Sequence, residues 1–103
     1  MQTVFVRYYG ILKEFAKKRQ EKIEMEDNSS VLDLIKVISA KNGVKFRDFV
    51  SAGNGKLRDG LAFAVDGKSV ERSTLGRIKC KDISEFVILP PISGGTLTES
   101  GVL

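Results

Sequence analysis

Apolar and polar positions alternate along Thr3 to Tyr9 (TVFVRYY), a segment rich in β-branched and aromatic residues, and this predicts a strand. A strand puts Val4, Val6 and Tyr8 on one face and Phe5, Arg7 and Tyr9 on the other. Gly10 ends it. From Ile11 to Arg19 the apolar residues fall at 11, 12, 15 and 16, the spacing of one face of a short helix, and the basic end Lys17-Lys18-Arg19 suits the negative pole of the helix dipole. Lys22 to Glu26 (KIEME) alternates charged and apolar residues and predicts a half-buried strand. After the turn residues Asp27-Asn28-Ser29, Ser30 has the place of an N-cap and Asp33 that of its capping-box partner. Val31, Leu34, Ile35 and Ile38 recur at i, i+3, i+4 and i+7, which predicts a helix over Val31 to Asn42 with Gly43 just past its end.

The second half is less regular. Phe46 and Phe49 are spaced to pack one turn onto a core, and Gly53-Asn54-Gly55 reads as a loop. Leu61 to Val65 (LAFAV) predicts a strand with Leu61, Phe63 and Val65 on one face and only Ala62 and Ala64 on the other. Asp66-Gly67 is a hairpin-turn pair, followed by a short returning strand over Lys68 to Glu71. Thr74 to Ile83 reads as a polar connection. Phe86 to Leu89 (FVIL) is apolar on both faces, as a strand in the middle of its sheet would be, and Pro90-Pro91 stops its ladder because proline has no N–H to donate. One helical stripe covering one sheet face makes this an α+β two-layer domain. Val31, Leu34, Ile35 and Ile38 are expected to pack on Val4, Val6, Phe63, Val65, Phe86 and Ile88. The opposite face carries Phe5, Tyr9, Val87 and Leu89 beside the two alanines. It is either a protein-binding surface or a face covered by the short helix or the Phe46–Phe49 segment.

Composition narrows the chemistry. The 103 residues suit one domain, and 42% hydrophobic with 29% charged residues excludes a disordered or collagen-like chain. The longest apolar run, Leu61 to Val65, falls far short of the roughly 20 residues of a membrane-spanning helix. The N-terminal residues lack the basic region and apolar stretch of a signal peptide. A cytoplasmic protein with no membrane partner is expected. The net charge of +4 is mildly basic, but Lys and Arg are spread along the chain, and the densest group, Lys13 with Lys17-Lys18-Arg19, reads as a solvated face. No nucleic-acid partner is expected. The absence of histidine excludes Ser-His-Asp and Cys-His catalysis and His-containing zinc sites. One cysteine, Cys80, excludes a disulfide within the chain and a cysteine-only metal site, so no metal is expected. Asp27-Asn28-Ser29-Ser30 lacks the glycine and bidentate glutamate of a calcium loop, and Gly53-Asn54-Gly55-Lys56 lacks the first half of a phosphate loop. Lys79 and Lys81 favour a thiolate at Cys80. With no base or second thiol beside it, it reads as a small residue at the approach to a strand.

The informative segment is Phe86-Val87-Ile88-Leu89-Pro90-Pro91-Ile92-Ser93-Gly94-Gly95. A strand runs into Pro-Pro, which favours an extended polyproline conformation, and two residues later come two glycines. A stiff stalk ending in a thin strip of backbone suits entry into a narrow crevice of another enzyme, where any Cβ would clash. In this feature the chain resembles the MoaD/ThiS group of ubiquitin-like sulfur carriers, and MoaD most. Tyr8 to Phe15 (YYGILKEF), the capped helix from Ser30, Phe63-Ala64-Val65-Asp66-Gly67 and Lys81 to Gly95 match in order over residues 3 to 95.

The resemblance implies a β-grasp fold, a mixed sheet on one main helix with the first and last strands adjacent and parallel. It implies a domain over residues 1–95, followed by an extension over 96–103. It also implies that a ubiquitin-activating-type adenylating enzyme, using ATP and Mg²⁺ while the chain itself binds no cofactor, activates the carboxylate of Gly95 for conversion to a thiocarboxylate. Gly94 would give access, Pro90, Pro91, Ile92 and Ser93 the docking stalk, and Phe5, Val87 and Leu89 a partner face. For a MoaD-like protein the second partner is the large subunit of molybdopterin synthase. Thr96 follows Gly95, however, and an internal glycine has an amide in place of a carboxylate. A processing protease is therefore expected to cut after Gly95, and residues 96–103 are expected to pack little. The alternatives are a ubiquitin-like protein modifier made as a precursor and conjugated through Gly95, and a β-grasp binding module without covalent chemistry.

Overall fold

The computed structural model describes residues 1–51, 53 and 56–91, so the expectations for Ile92, Ser93, Gly94, Gly95 and the 96–103 extension lie outside the described residues. The described chain runs β1 (Gln2–Tyr8), α1 (Gly10–Ala16), β2 (Gln20–Met25), α2 (Val31–Lys41), α3 (Val44–Val50), β3 (Ala62–Val65), β4 (Lys68–Val70) and β5 (Glu85–Leu89). The strands form one sheet in the order β2-β1-β5-β3-β4. β5 pairs parallel with β1, Val6 beside Phe86, and antiparallel with β3, Phe63 beside Ile88. The last strand is thus central, as its two-sided apolar pattern predicts, and the fold is the β-grasp.

Alternation decides which side of the sheet is dry. Val4, Val6 and Tyr8 of β1, Ile23 and Met25 of β2, Phe63 of β3, and Phe86 and Ile88 of β5 form one core with Val31, Leu34, Ile35 and Ile38 of α2. Val65 is partly buried at its margin. The N-terminus of α2 is closed by a complete capping box. Ser30 Oγ accepts from the Asp33 amide at 3.1 Å, and an Asp33 carboxylate oxygen accepts from the Ser30 amide at 3.0 Å. Those bonds hold the Asp33 carboxyl below its ordinary range.

Three elements differ from their sequence reading. Helix α1 stops at Ala16, where Lys17 turns left-handed (φ 61°) and its amide donates to the Lys13 carbonyl. Lys17-Lys18-Arg19 therefore lies beyond the helix. Val44–Val50 is a full helix, which Gly43 separates from α2 with φ 94°. Its Phe46 is buried edge-on against Tyr8, and its Phe49 meets Phe15 from α1. Both short helices thus pack on the same side as α2. The connection over Thr74 to Ile83 is not simply polar. Leu75, Cys80 and Ile83 are buried, and the carbonyls of Ile78 and Leu75 accept from the amides of Val31 and Leu32, two of the orphan donors at the start of α2.

Candidate functional site: the base of the glycine tail

β5 leads from the centre of the sheet directly into Pro90 and Pro91, both half-buried. The prolines are seated against two glycines from separate parts of the chain. Gly10 (φ +56°) opens α1, and a Cβ built on it would stand 3.0 Å from Pro90 Cγ. Gly60 (φ +88°) immediately precedes Leu61 and β3, and its Cβ would stand 2.9 Å from Pro91 Cβ. Two shallow clefts flank the stalk. One, of about 490 Å³, is lined by Ile11, Phe49, Arg58 and the prolines. The other, of about 470 Å³, is lined by Gly60, Ala62, Leu89 and the prolines. Ile11, on the apolar stripe of α1, is 40% exposed because it faces the first cleft instead of the core.

Behind the first cleft, the Arg58 guanidinium lies over the Phe49 ring, 4.6 Å from its centroid, and donates to the Phe49 carbonyl. The stretch leading to Gly60 is anchored from below. Arg72 donates to the carbonyls of Leu57 and Arg58 at 2.9 and 2.7 Å. At the far end of β5, Asp66 sits in the β3–β4 turn with φ 48° and accepts from the amides of Ser84 and Glu85, both at 2.9 Å, fixing where the strand begins.

The sheet face turned from the helices carries Phe5, 42% exposed, with half-buried Val87 and Leu89. Ala64 pairs with Val87 and Ala62 with Leu89, so the small side chains leave the larger ones standing proud. Neither α1 nor the Phe46–Phe49 segment covers this face. Its rim is charged: Lys22 lies over the Phe5 ring and Arg7 bridges to Glu85 at 2.9 Å. Tyr9, exposed beyond the end of β1, lines a polar cleft with Lys13 and Arg19. Of the sequence-named residues, the structure brings Pro90, Pro91, Val87, Leu89 and Phe5 to one end and one face of β5 and its neighbour.

Cys80 is the small buried residue ahead of β5 that the sequence suggests, and only the thiolate expectation is corrected. It has no exposure, its Sγ lies 3.3 Å from the Ser30 carbonyl, and burial pushes its thiol up, with Asp33 adding to the effect. The flanking lysines do not make a thiolate. Lys79 instead reaches the Asn28 carbonyl. Among the described residues no group of three or more His, Cys, Asp and Glu is placed to hold a metal, and no helix is long and apolar enough to cross a membrane. The contacts of Gly10 and Gly60 with the prolines escaped the sequence reading. Gly10 signalled only a strand end, and nothing local to residue 60 points to residue 91.

The ThiS family model matches residues 6–95. The chain belongs to the ThiS family. Its members are ubiquitin-like sulfur carriers and modifiers, and the match runs from β1 to Gly95. Solved structures repeat the fold of this ThiS-family chain. Small archaeal modifier protein 1 of H. volcanii superposes with a TM-score of 0.75 at 17% identity, covering 89% of this chain and 100% of that one. A Pyrococcus furiosus protein assigned as molybdopterin converting factor, subunit 1, gives 0.65 at 24% identity, with 89% and 100% covered. CysO of Mycobacterium tuberculosis gives 0.62 at 18% identity, with 86% and 99% covered. Sequence comparison with curated proteins gives no significant match.

Proposed function

We propose that this ThiS-family chain is a MoaD-like sulfur carrier for molybdopterin biosynthesis, active once its chain ends at Gly95. The observation that carries the reading is the course of β5. The central strand passes through a seated Pro90–Pro91 stalk toward a Gly-Gly pair, and the family match stops on the second glycine. The similarity to the P. furiosus protein supports the molybdopterin assignment.

A carboxylate is a poor electrophile, because it is already an anion and its oxygen leaves badly. In this reading the Gly95 carboxylate attacks the α-phosphate of ATP, bound with Mg²⁺ on an adenylating enzyme, and pyrophosphate leaves. A sulfur nucleophile from a donor then displaces AMP, giving the thiocarboxylate. The tail next enters the large synthase subunit, where its sulfur is transferred. In this reading the chain supplies docking and access, and the partner enzymes supply the chemistry. Phe5, Val87 and Leu89 are the docking face, Pro90, Pro91, Ile92 and Ser93 set the reach, and Gly94 passes where a side chain would not.

A second reading is supported by the likeness to small archaeal modifier protein 1 and by Thr96 following Gly95. In it the same activated glycine forms an isopeptide with a lysine of another protein. Both readings require cleavage after Gly95. The test is the intact mass of the protein from its own cells, beside ATP–pyrophosphate exchange with the adenylating enzyme. The expected species ends at Gly95, carries sulfur for oxygen in part, and supports exchange that the uncut chain does not. Mass shifts on other proteins, with no thiocarboxylate, would favour the modifier. Uncut chain alone, with no exchange after engineered truncation, would leave the non-covalent binding module.

A further inference from the structure

We infer that β2 is a self-pairing edge: two copies of this chain join β2 to β2, antiparallel about a two-fold axis at Ile23, with Lys22 of each copy opposite Glu24 of the other. The inference goes beyond the proposed function and does not depend on it.

The sheet ends in two edges, β2 and β4. β4 has three residues, too few to template another strand, whereas β2 has six. The direction of the β2 backbone groups follows from its pairing with β1. The Tyr8 amide donates to the Arg19 carbonyl at 2.9 Å, one step beyond the register that sets Arg7 opposite Gln20. In an antiparallel ladder such bonded pairs alternate with unbonded ones. Val6–Glu21 and Val4–Ile23 are therefore bonded, and the N–H and C=O groups of Gln20, Lys22 and Glu24 point away from β1. Among the described residues no strand lies on that side.

The side chains decide what fits there. Lys22 and Glu24 are exposed on the face turned from the helices, and among the described residues neither enters an ion pair. Charges on an edge ordinarily hold strands apart. A second β2 meets the opposite case in one register. With Ile23 on the axis, both contacts between Lys22 and the partner's Glu24 join opposite charges, and each such pair exchanges two backbone bonds. A slip of two residues either way places Lys22 against Lys22 or Glu24 against Glu24 at the axis. A slip of one residue sets outward backbone groups against inward ones and makes no ladder. The Glu21 carboxylate, on the helix side, is already held by Tyr8, Asn42 and Lys18 and takes no part in the seam. β1 and β2 separate the seam from β5, so Val87, Leu89, Pro90 and Pro91 stay uncovered. An interface one strand wide is small, and the dimer is weak, with a dissociation constant between micromolar and millimolar.

Sedimentation equilibrium of the full-length chain over that concentration range should show monomer passing into dimer. Amide exchange followed by NMR should show the Lys22 and Glu24 amides gaining protection as concentration rises. The Ile23 amide, which faces Val4, should be protected throughout. Lys22→Glu alone, or Glu24→Lys alone, puts like charges at both contacts and should weaken the dimer about tenfold. Mixing the two single variants should restore it, because every contact across the seam then joins opposite charges. The double variant should dimerise like wild type.

A chain that stays monomeric at millimolar concentration, with unprotected Lys22 and Glu24 amides, overturns the inference. So does a dimer whose concentration-dependent protection falls on Phe5, Val87 and Leu89, which makes the open face the seam. A monomer with the Lys22 and Glu24 amides protected at every concentration also overturns it, since the edge is then covered from within the chain. A dimer that the single variants leave unchanged, or that their mixture fails to restore, overturns the register and the inference with it. If either single variant does not fold, the wild-type exchange pattern decides alone: protection of Lys22 and Glu24 that rises with concentration upholds the seam, and its absence overturns it.

Discussion

The Tyr8 hydroxyl donates to a Glu21 carboxylate oxygen, and the Asn42 side-chain amide donates to both groups, at 3.0 and 3.1 Å. This knot ties β1 and β2 to the C-terminal end of α2. Lys18 and Lys41 approach the other Glu21 oxygen at 3.2 and 3.5 Å. Burial pushes the Tyr8 phenol far up, and the Glu21 carboxylate adds to the shift. Burial also pushes Glu21 up, but its bonds from Tyr8, Asn42 and Lys18 together outweigh that and leave it below its ordinary range.

Tyr8→Phe should destabilise the fold by about 1–2 kcal/mol at pH 7, the loss of a hydrogen bond to a charged group. The pH dependence has a definite sign. A carboxyl depressed in the folded state contributes its full stability above its unfolded value of 4.5 and loses that contribution as pH falls below it. Urea unfolding of wild type and variant at pH 7 and pH 3 should show the gap narrowing in acid. An equal gap at both pH values would exclude the carboxylate as the partner that matters.

Ser30→Ala removes the acceptor for the Asp33 amide and should cost about 1 kcal/mol. Ser30→Asp keeps an acceptor at the cap and should cost less. Denaturant midpoints of the two variants check the order.

Adjacent positions in β5 should respond in opposite ways. Ile88 has no exposure, whereas Leu89 is half-buried on the open face. Ile88→Asp buries an unpaired charge and should abolish folding. Leu89→Asp should keep a cooperative melt and raise KM for exchange with the adenylating enzyme by about tenfold or more, a hot-spot loss. Circular dichroism melts measured beside the kinetics separate the two. A Leu89→Asp variant that unfolds outright would make that face part of the core.

Phe46→Ala should cost about 3–5 kcal/mol, because the ring is fully buried against Tyr8. A loss under about 1 kcal/mol would mean that α3 contributes little to the core. Thermal or urea unfolding gives the value.

Periodicity made α2 and the two central strands legible. Four apolar residues at helical spacing behind a capping box, and FVIL ahead of two prolines, leave few alternatives. α3 was not legible as a helix because seven residues hold barely two turns, and its Val44 is 59% exposed, which blurs the stripe. Leu75, Ile78, Cys80 and Ile83 follow neither the helical nor the strand period, because they plug the gap under the N-terminus of α2 from irregular backbone. The proposed reactive glycine, Gly95, lies outside the described residues, and its reading rests on the resemblance that Pro90-Pro91 and Gly94-Gly95 carry. The contacts of Gly10 and Gly60 with the two prolines were not legible, because closeness between residues 60 and 91 is a property of the finished sheet.

The central place of β5 also bears on synthesis. β1 leaves the ribosome first yet cannot gain its parallel neighbour until the chain has been made through Leu89, and such long-range pairing is slow. α2 and the β1–β2 hairpin are available earlier but have no middle strand to close on. Closure of the sheet is thus deferred until nearly nine-tenths of the chain has been translated. A prematurely terminated chain lacks the middle strand of its sheet, and every folded molecule has been read at least as far as Leu89.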